Sequence, residues 1–227
     1  MFLRLMLVCL FSYLSLFSYT VMAIEEPKFD VIEKSDAFEL RAYKPLIVAE
    51  VLVDGEMKQA SSKGFKLIAD YIFGNNKSKT GDKIGTSEKI SMTAPVTLQP
   101  KSEAPKLEAP KSEAPKSEKV PMTAPVALQK EAEKWRVDFV MPSQYSLETL
   151  PTPNNPQVSL REVVAKKFAV VRFSGLVGEE KMAAKTAELQ AWMQIKQLKP
   201  IGTQELARYN PPWTLPFLRR NEILITY

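Results

Sequence analysis

The chain has 227 residues, 45% hydrophobic and 25% charged, which suits one globular domain with appendages and argues against a disordered or fibrous chain. Its 31 basic and 26 acidic residues give +5, but the lysines alternate with acids and form no basic stripe with interleaved aromatics, which argues against nucleic acid as a partner. Histidine is absent and the single cysteine is Cys9, which removes the usual zinc centres, His-activated nucleophiles and imidazole proton shuttles.

Arg4 precedes an apolar run from Leu5 to Met22, and Val21 and Ala23 supply the small residues of a signal-peptidase site. The pattern predicts a signal peptide over 1–23 cut after Ala23, a mature domain over 24–227 in the periplasm or outside the cell, and no stable membrane span after cleavage. A retained anchor is the alternative, because about 18 apolar residues can cross a bilayer. Phe29 to Glu33, Phe38 to Arg41 and Leu46 to Val53 read as strands. Met57, Ala60, Gly64, Phe65, Ile68 and Ile72 then fall at helical spacing, and Gly74 ends the run. Trp135 to Val140 closes this half as a strand. The order recurs: strands over Val158 to Val163 and Phe168 to Phe173, a helix over Glu179 to Lys196 with Met182, Leu189, Trp192 and Met193 on one face, and a last strand over Ile223 to Tyr227. Two strand-strand-helix-strand halves predict an α+β fold, a distorted antiparallel β-barrel with two flanking helices.

A sharper repeat joins the halves. Ser87 to Gln99 returns thirty residues later as Ser117 to Gln129, with ten of thirteen positions identical. The Pro-Lys-Glu-Ala tract between the copies cannot bury a core and reads as a solvated loop insertion at about 100–117, an expanded hairpin tip or a docking arm.

Tyr71-Ile72-Phe73-Gly74-Asn75-Asn76, the doubled Met-Thr-Ala-Pro-Val, Phe139-Val140-Met141-Pro142-Ser143-Gln144-Tyr145, Leu147 to Pro151, and Tyr209 to Glu222 together resemble the SOUL family of heme-binding proteins. The resemblance runs from Phe29 to Tyr227, apart from the Pro-rich tract. It implies a twisted barrel of two similar halves, akin to the effector-binding domains of multidrug-sensing regulators, and a tetrapyrrole ligand. Where some members are proposed to ligate iron through histidine, this chain has none, so a heme here would be held by other side chains or by apolar contact.

The family's porphyrin contact implies Phe65, Ile68, Ala69 and Ile72 along the first helix as the apolar slot, with Lys63 and Lys66 meeting propionates; helical spacing equally fits packing for the former and a solvated face for the latter. Met92 and Met122 offer thioethers or barrel wall, and Pro95 and Pro125 imply sheet edges or bulges. Arg219 and Arg220 beside the aromatic turn from Tyr209 could clamp a carboxylate or pair with Glu222. No catalytic constellation appears, so the expectation is a binder of heme or a related tetrapyrrole in the cell envelope, not an enzyme, with another amphipathic or apolar small molecule as the alternative ligand.

Overall fold

A computed structural model describes residues 24–100 and 134–227 of the chain. The expected signal peptide, Met122, Pro125 and the Pro-rich tract from 101 onward lie outside the described residues.

Among the described residues eleven strands and two α-helices follow one another as β1 (Phe29–Ser35), β2 (Phe38–Tyr43), β3 (Leu46–Asp54), α1 (Met57–Ile72), β4 (Asn76–Lys77), β5 (Val96–Pro100), β6 (Lys134–Val140), β7 (Thr152–Pro153), β8 (Ser159–Val163), β9 (Lys166–Phe173), α2 (Glu179–Ile195), β10 (Ile201–Arg208) and β11 (Asn221–Thr226). Nine strands form one antiparallel sheet in the order β1-β2-β9-β11-β10-β5-β6-β3-β8, while β4 and β7 pair separately. Leaving out β1, the order is symmetric about the β10–β5 pair: β2-β9-β11-β10 on one side answers β8-β3-β6-β5 on the other. The pseudo-repeat is therefore a pseudo-dyad.

The first strand of each half belongs to the other half's side of the sheet. β2 is joined to β3 by only Lys44 and Pro45, yet it pairs with β9; β8 is joined to β9 by only Val164 and Ala165, yet it pairs with β3. These two short links cross between the rims and curl the sheet into a distorted half-barrel.

Side chains alternate across a strand, so the two faces of the sheet have separate fates. The convex face carries Val51, Val137 and Phe139 under α1, and Ala169, Val171, Ile223 and Ile225 under α2, and this is the main core. α1 sits close because Gly64 has no side chain: a Cβ there would lie 2.5 Å from Val137 Cγ2. On α2 the buried stripe is Met182, Thr186, Leu189 and Met193, with Trp192 partly buried and stacked on Phe38 at 5.2 Å. The concave face carries a second cluster around Tyr43, Phe168, Val170, Ala207, Tyr209 and Leu224.

Two readings of the Met-Thr-Ala-Pro-Val segment are corrected by the structure. Met92 to Pro95 precede the sheet, and the strand begins only at Val96, because Pro95 has no N–H to give a ladder. The strand Pro95 leads into is also no edge strand; β5 is central, between β10 and β6. β10 was not anticipated at all, since Ile201-Gly202-Thr203-Gln204-Glu205 carries neither alternation nor β-branched density.

Candidate functional site

The half-barrel leaves a cleft of about 310 Å³ on its concave face. Both halves and both crossing links contribute to it: Tyr43, Lys44 and Leu46 from one link region, Val163, Val164 and Lys166 from the other. One wall is apolar, made by Tyr43, Val48, Val140, Phe168, Ala207 and Leu224. The opposite end is charged, with Arg136, Asp138, Arg161, Lys166 and Glu205.

The charged end is a network with unmet capacity. Arg161 Nε donates to Glu50 Oε2 at 2.8 Å, Arg136 Nε lies 3.6 Å from the same oxygen, and Arg161 reaches Asp138 only at 3.9 Å. Asp138 Oδ1 and Arg136 Nε are buried without a hydrogen-bond partner. Burial, then the Glu50 and Glu205 charges, pushes the Asp138 carboxyl up to about 7 despite Arg161 and Arg136. Burial likewise raises Glu205 against the pull of Lys166, Arg136 and Arg161. Glu205, half-buried, makes no hydrogen bond among the described residues and faces the cleft from β10.

A second buried network closes the opposite end. Glu222, fully buried, accepts from both terminal nitrogens of Arg41 at 2.7 and 3.1 Å, from the Tyr209 hydroxyl at 2.7 Å and from Arg220 Nε at 3.0 Å. Burial alone would raise the Glu222 carboxyl, but the bonds and charge of Arg41, then Tyr209 and Arg220, hold it below the usual range. Burial and then the Glu222 charge push the Tyr209 phenol up, so Tyr209 stays a proton donor. Arg41 NH1 also donates to Tyr43 Oη at 3.1 Å and Arg41 Nε to Glu39 at 2.7 Å.

The residues singled out from sequence are distributed differently. Ile68, Ala69 and Ile72 are buried, and Ile68, Ile72 and the partly buried Phe65, 5.4 Å from the Phe139 ring, pack in the core under α1, on the opposite face of the sheet from the cleft. Lys63 and Lys66 are exposed on the outer face of that helix, and Met92 is partly buried ahead of β5. Arg219 donates to the Thr214 and Pro212 carbonyls and braces the turn that contains them. Arg220 pairs with Glu222 and with Glu26 at 3.0 Å and lies 3.6 Å over the Tyr209 ring. The two arginines thus serve the turn and the buried acid. The cleft residues escaped the sequence reading because they are scattered over eight strands; the one signal was an ionisable residue at an inward strand position, as in Trp135-Arg136-Val137-Asp138-Phe139.

Among the described residues no group of His, Cys, Asp and Glu side chains is placed to hold a metal ion, and no helix is long and apolar enough to cross a membrane. The fold is an α+β half-barrel of two repeated halves with a concave cleft. Residues 24–114 and again 109–226 match the family described as SOUL heme-binding protein, and the chain belongs to that family. No curated protein matches it. Among solved structures it is similar to the EcmrR C-terminal domain (TM-score 0.53, 9% identity, 83% of this chain and 95% of that one). It is also similar to a hydrolase from Listeria innocua (TM-score 0.51, 11% identity, 86% and 93%) and to EcmrR in its DNA complex (TM-score 0.52, 11% identity, 97% of this chain and 63% of that one). At these identities the likeness is one of fold.

Proposed function

We propose that this protein binds heme or a related tetrapyrrole in the cell envelope, in the concave cleft, without a histidine on the iron and without catalysing a reaction. The observation that carries the reading is the cleft of a SOUL-family chain with an apolar wall at one side and Arg136, Arg161 and Lys166 at the other. That division suits a macrocycle with carboxylate substituents: the wall takes the ring and the cations take the propionates. The two cleft tyrosines do not suit axial ligation, because the Tyr43 hydroxyl accepts from Arg41 and the Tyr209 hydroxyl is committed to Glu222. At about 310 Å³ the cleft is at the small end of ligand pockets, which run from roughly 300 to 1,000 Å³, so a tetrapyrrole extends beyond it. The envelope location rests on the apolar run and cut site before Ile24.

The test is a parallel titration of the chain from Ile24 onward, which holds every described element, with hemin and with metal-free protoporphyrin, followed by absorbance and tryptophan quenching. Saturable one-to-one binding is expected. Thr97→Phe, which fills the cleft, should abolish it, and Arg161→Gln should weaken it several-fold, whereas Lys63→Glu with Lys66→Glu on the outer face of α1 should leave it unchanged. The reverse pattern would move the site to α1. No saturable binding of either compound would favour another amphipathic ligand, a reading supported by the unpartnered Asp138 oxygen and Arg136 nitrogen at the cleft.

A further inference from the structure

The turn between β10 and β11 carries the longest of the sequence motifs, and the cleft leaves most of it unused. Trp213 is 84% exposed and Phe217 69%, and Leu215, Leu218 and the neighbouring Leu176 are each more than half exposed. Five large apolar side chains on two adjoining loops exceed the scattered surface hydrophobics of an ordinary domain.

The turn is built to hold them out. Pro211, Pro212 and Pro216 limit the backbone, Arg219 donates to the Pro212 and Thr214 carbonyls, the Arg220 amide donates to Asn210 Oδ1 at 2.7 Å, and the Gly175 amide donates to the Pro216 carbonyl at 2.9 Å, tying the Leu176 loop alongside. A braced turn cannot fold its apolar side chains back onto the domain.

Charge and chain position say what covers it. Phe217 and Leu218 adjoin an open hollow of about 570 Å³ that also contains Arg172 and Arg219. Neither guanidinium pairs with an acid among the described residues; of the two acids in the hollow, Glu39 is taken by Lys34 and Arg41, and Asp36 makes no ion pair, against the four cations Lys34, Arg172, Arg219 and Arg220. Two arginines without an acid partner, in a hollow where cations outnumber acids, beside protruding Trp, Phe and Leu match the headgroup and upper acyl zones of an anionic bilayer. The chain also enters the domain here: Glu26 is held by Arg220, and the Glu25 carbonyl accepts from the Ala94 amide at 3.0 Å. Glu25 and Glu26, at the start of the described chain, therefore lie beside this turn.

We propose that the Trp213–Leu218 turn docks the domain on an anionic phospholipid bilayer, with Trp213 and Phe217 entering the interface and Arg172 and Arg219 meeting lipid phosphates. This surface is independent of the tetrapyrrole cleft.

Vesicles of phosphatidylglycerol with phosphatidylcholine, and of phosphatidylcholine alone, test it by co-sedimentation and tryptophan emission with the chain from Ile24 onward. Trp135 is buried and Trp192 is stacked on Phe38, so a change in emission reports Trp213. The wild type should bind the anionic vesicles with a blue shift, the Trp213→Ser, Phe217→Ser double variant should lose about tenfold or more in partitioning, and Arg172→Glu several-fold. All three positions are exposed or solvent-edge, so circular dichroism should be unchanged. Absence of wild-type binding, undiminished binding by the double variant, or equal binding to both vesicle types would each overturn the proposal.

Discussion

Removing the carboxylate of Glu222 should cost the fold about 4 kcal/mol. Glu222 is fully buried on β11 and is the shared acceptor of Arg41, Tyr209 and Arg220. Glu222→Ala strands the Arg41 guanidinium, 2% exposed, and breaking a buried pair from one side costs about 3 to 5 kcal/mol. Arg41 keeps Glu39 and Arg220 keeps Glu26, which puts the charge penalty near the low end, about 3 kcal/mol; the Tyr209 hydroxyl, left without an acceptor, adds about 1 kcal/mol. Urea unfolding followed by tryptophan fluorescence reads the loss directly, and the melting temperature should fall by roughly 8 to 16 °C for a domain of this size. Glu222→Gln, which keeps an acceptor, should lose about half as much, and the double variant Arg41→Met, Glu222→Leu should recover most of the loss, because it removes both charges together. The folded carboxyl is held below its unfolded value, so its contribution is present above the unfolded value of about 4.3 and is lost as pH falls through the lower folded one. Wild type and Glu222→Gln should therefore converge in acid. A loss under about 1 kcal/mol for Glu222→Ala, or a double variant no more stable than the single, would refute this account of the network.

Gly64→Ala should destabilise by about 2 kcal/mol despite the better helix propensity of alanine, because the new Cβ meets Val137 Cγ2 at 2.5 Å and Cβ at 2.7 Å; Val137→Ala in the same chain, which removes Cγ2 and keeps Cβ, should restore only part of the loss in urea unfolding. Asp138, at about 7 when folded, is raised above its unfolded value of about 3.9, so stability declines as pH rises from the unfolded to the folded value. Asp138→Asn should then gain on the order of 3 kcal/mol over wild type at pH 8 and little at pH 4, and equal gains at both would show that the shift is not the cause. Deleting residues 101–130, one repeat period, should leave the domain folded and raise its stability by about 2 kcal/mol, because β5 and β6 are antiparallel neighbours with Pro100 opposite Trp135, and shortening their link to residues 131–133 lowers the closure entropy. A variant that fails to fold would show that the removed segment makes native contacts.

The convex half of the molecule was readable from the residues. Met57, Ala60, Gly64, Ile68 and Ile72 advertise α1 by spacing alone, and the same spacing places them under the sheet. The β-branched runs of β3 and β9 and the recurrence of strand, strand, helix and strand gave the halves and their symmetry. Pairing partners were not readable: nothing in Tyr43-Lys44-Pro45-Leu46 says that β2 leaves its neighbour in sequence for β9 in the other half. The cleft exists because of that exchange, so its lining could not be assembled from local patterns. The aromatic turn was legible as a motif, but the role of its arginines depended on Glu26 and on carbonyls that only the folded turn brings within reach.

The pseudo-dyad also explains where this chain can vary. The β5–β6 link, which holds the duplicated segment, and the β10–β11 link, which holds the Trp213 turn, are symmetry equivalents. β5 and β10 run antiparallel, with Val96 opposite Arg208, so these two links leave the half-barrel at opposite ends. Neither is one of the two crossing links that shape the cleft mouth. A thirty-residue duplication in one and an apolar protrusion in the other can therefore be accommodated without changing the strand exchange that makes the cleft, provided β5 and β10 keep their central pairing. On the docking proposal, the end bearing Trp213 and the start of the described chain faces the bilayer, and β5 ends at the far end, at Pro100.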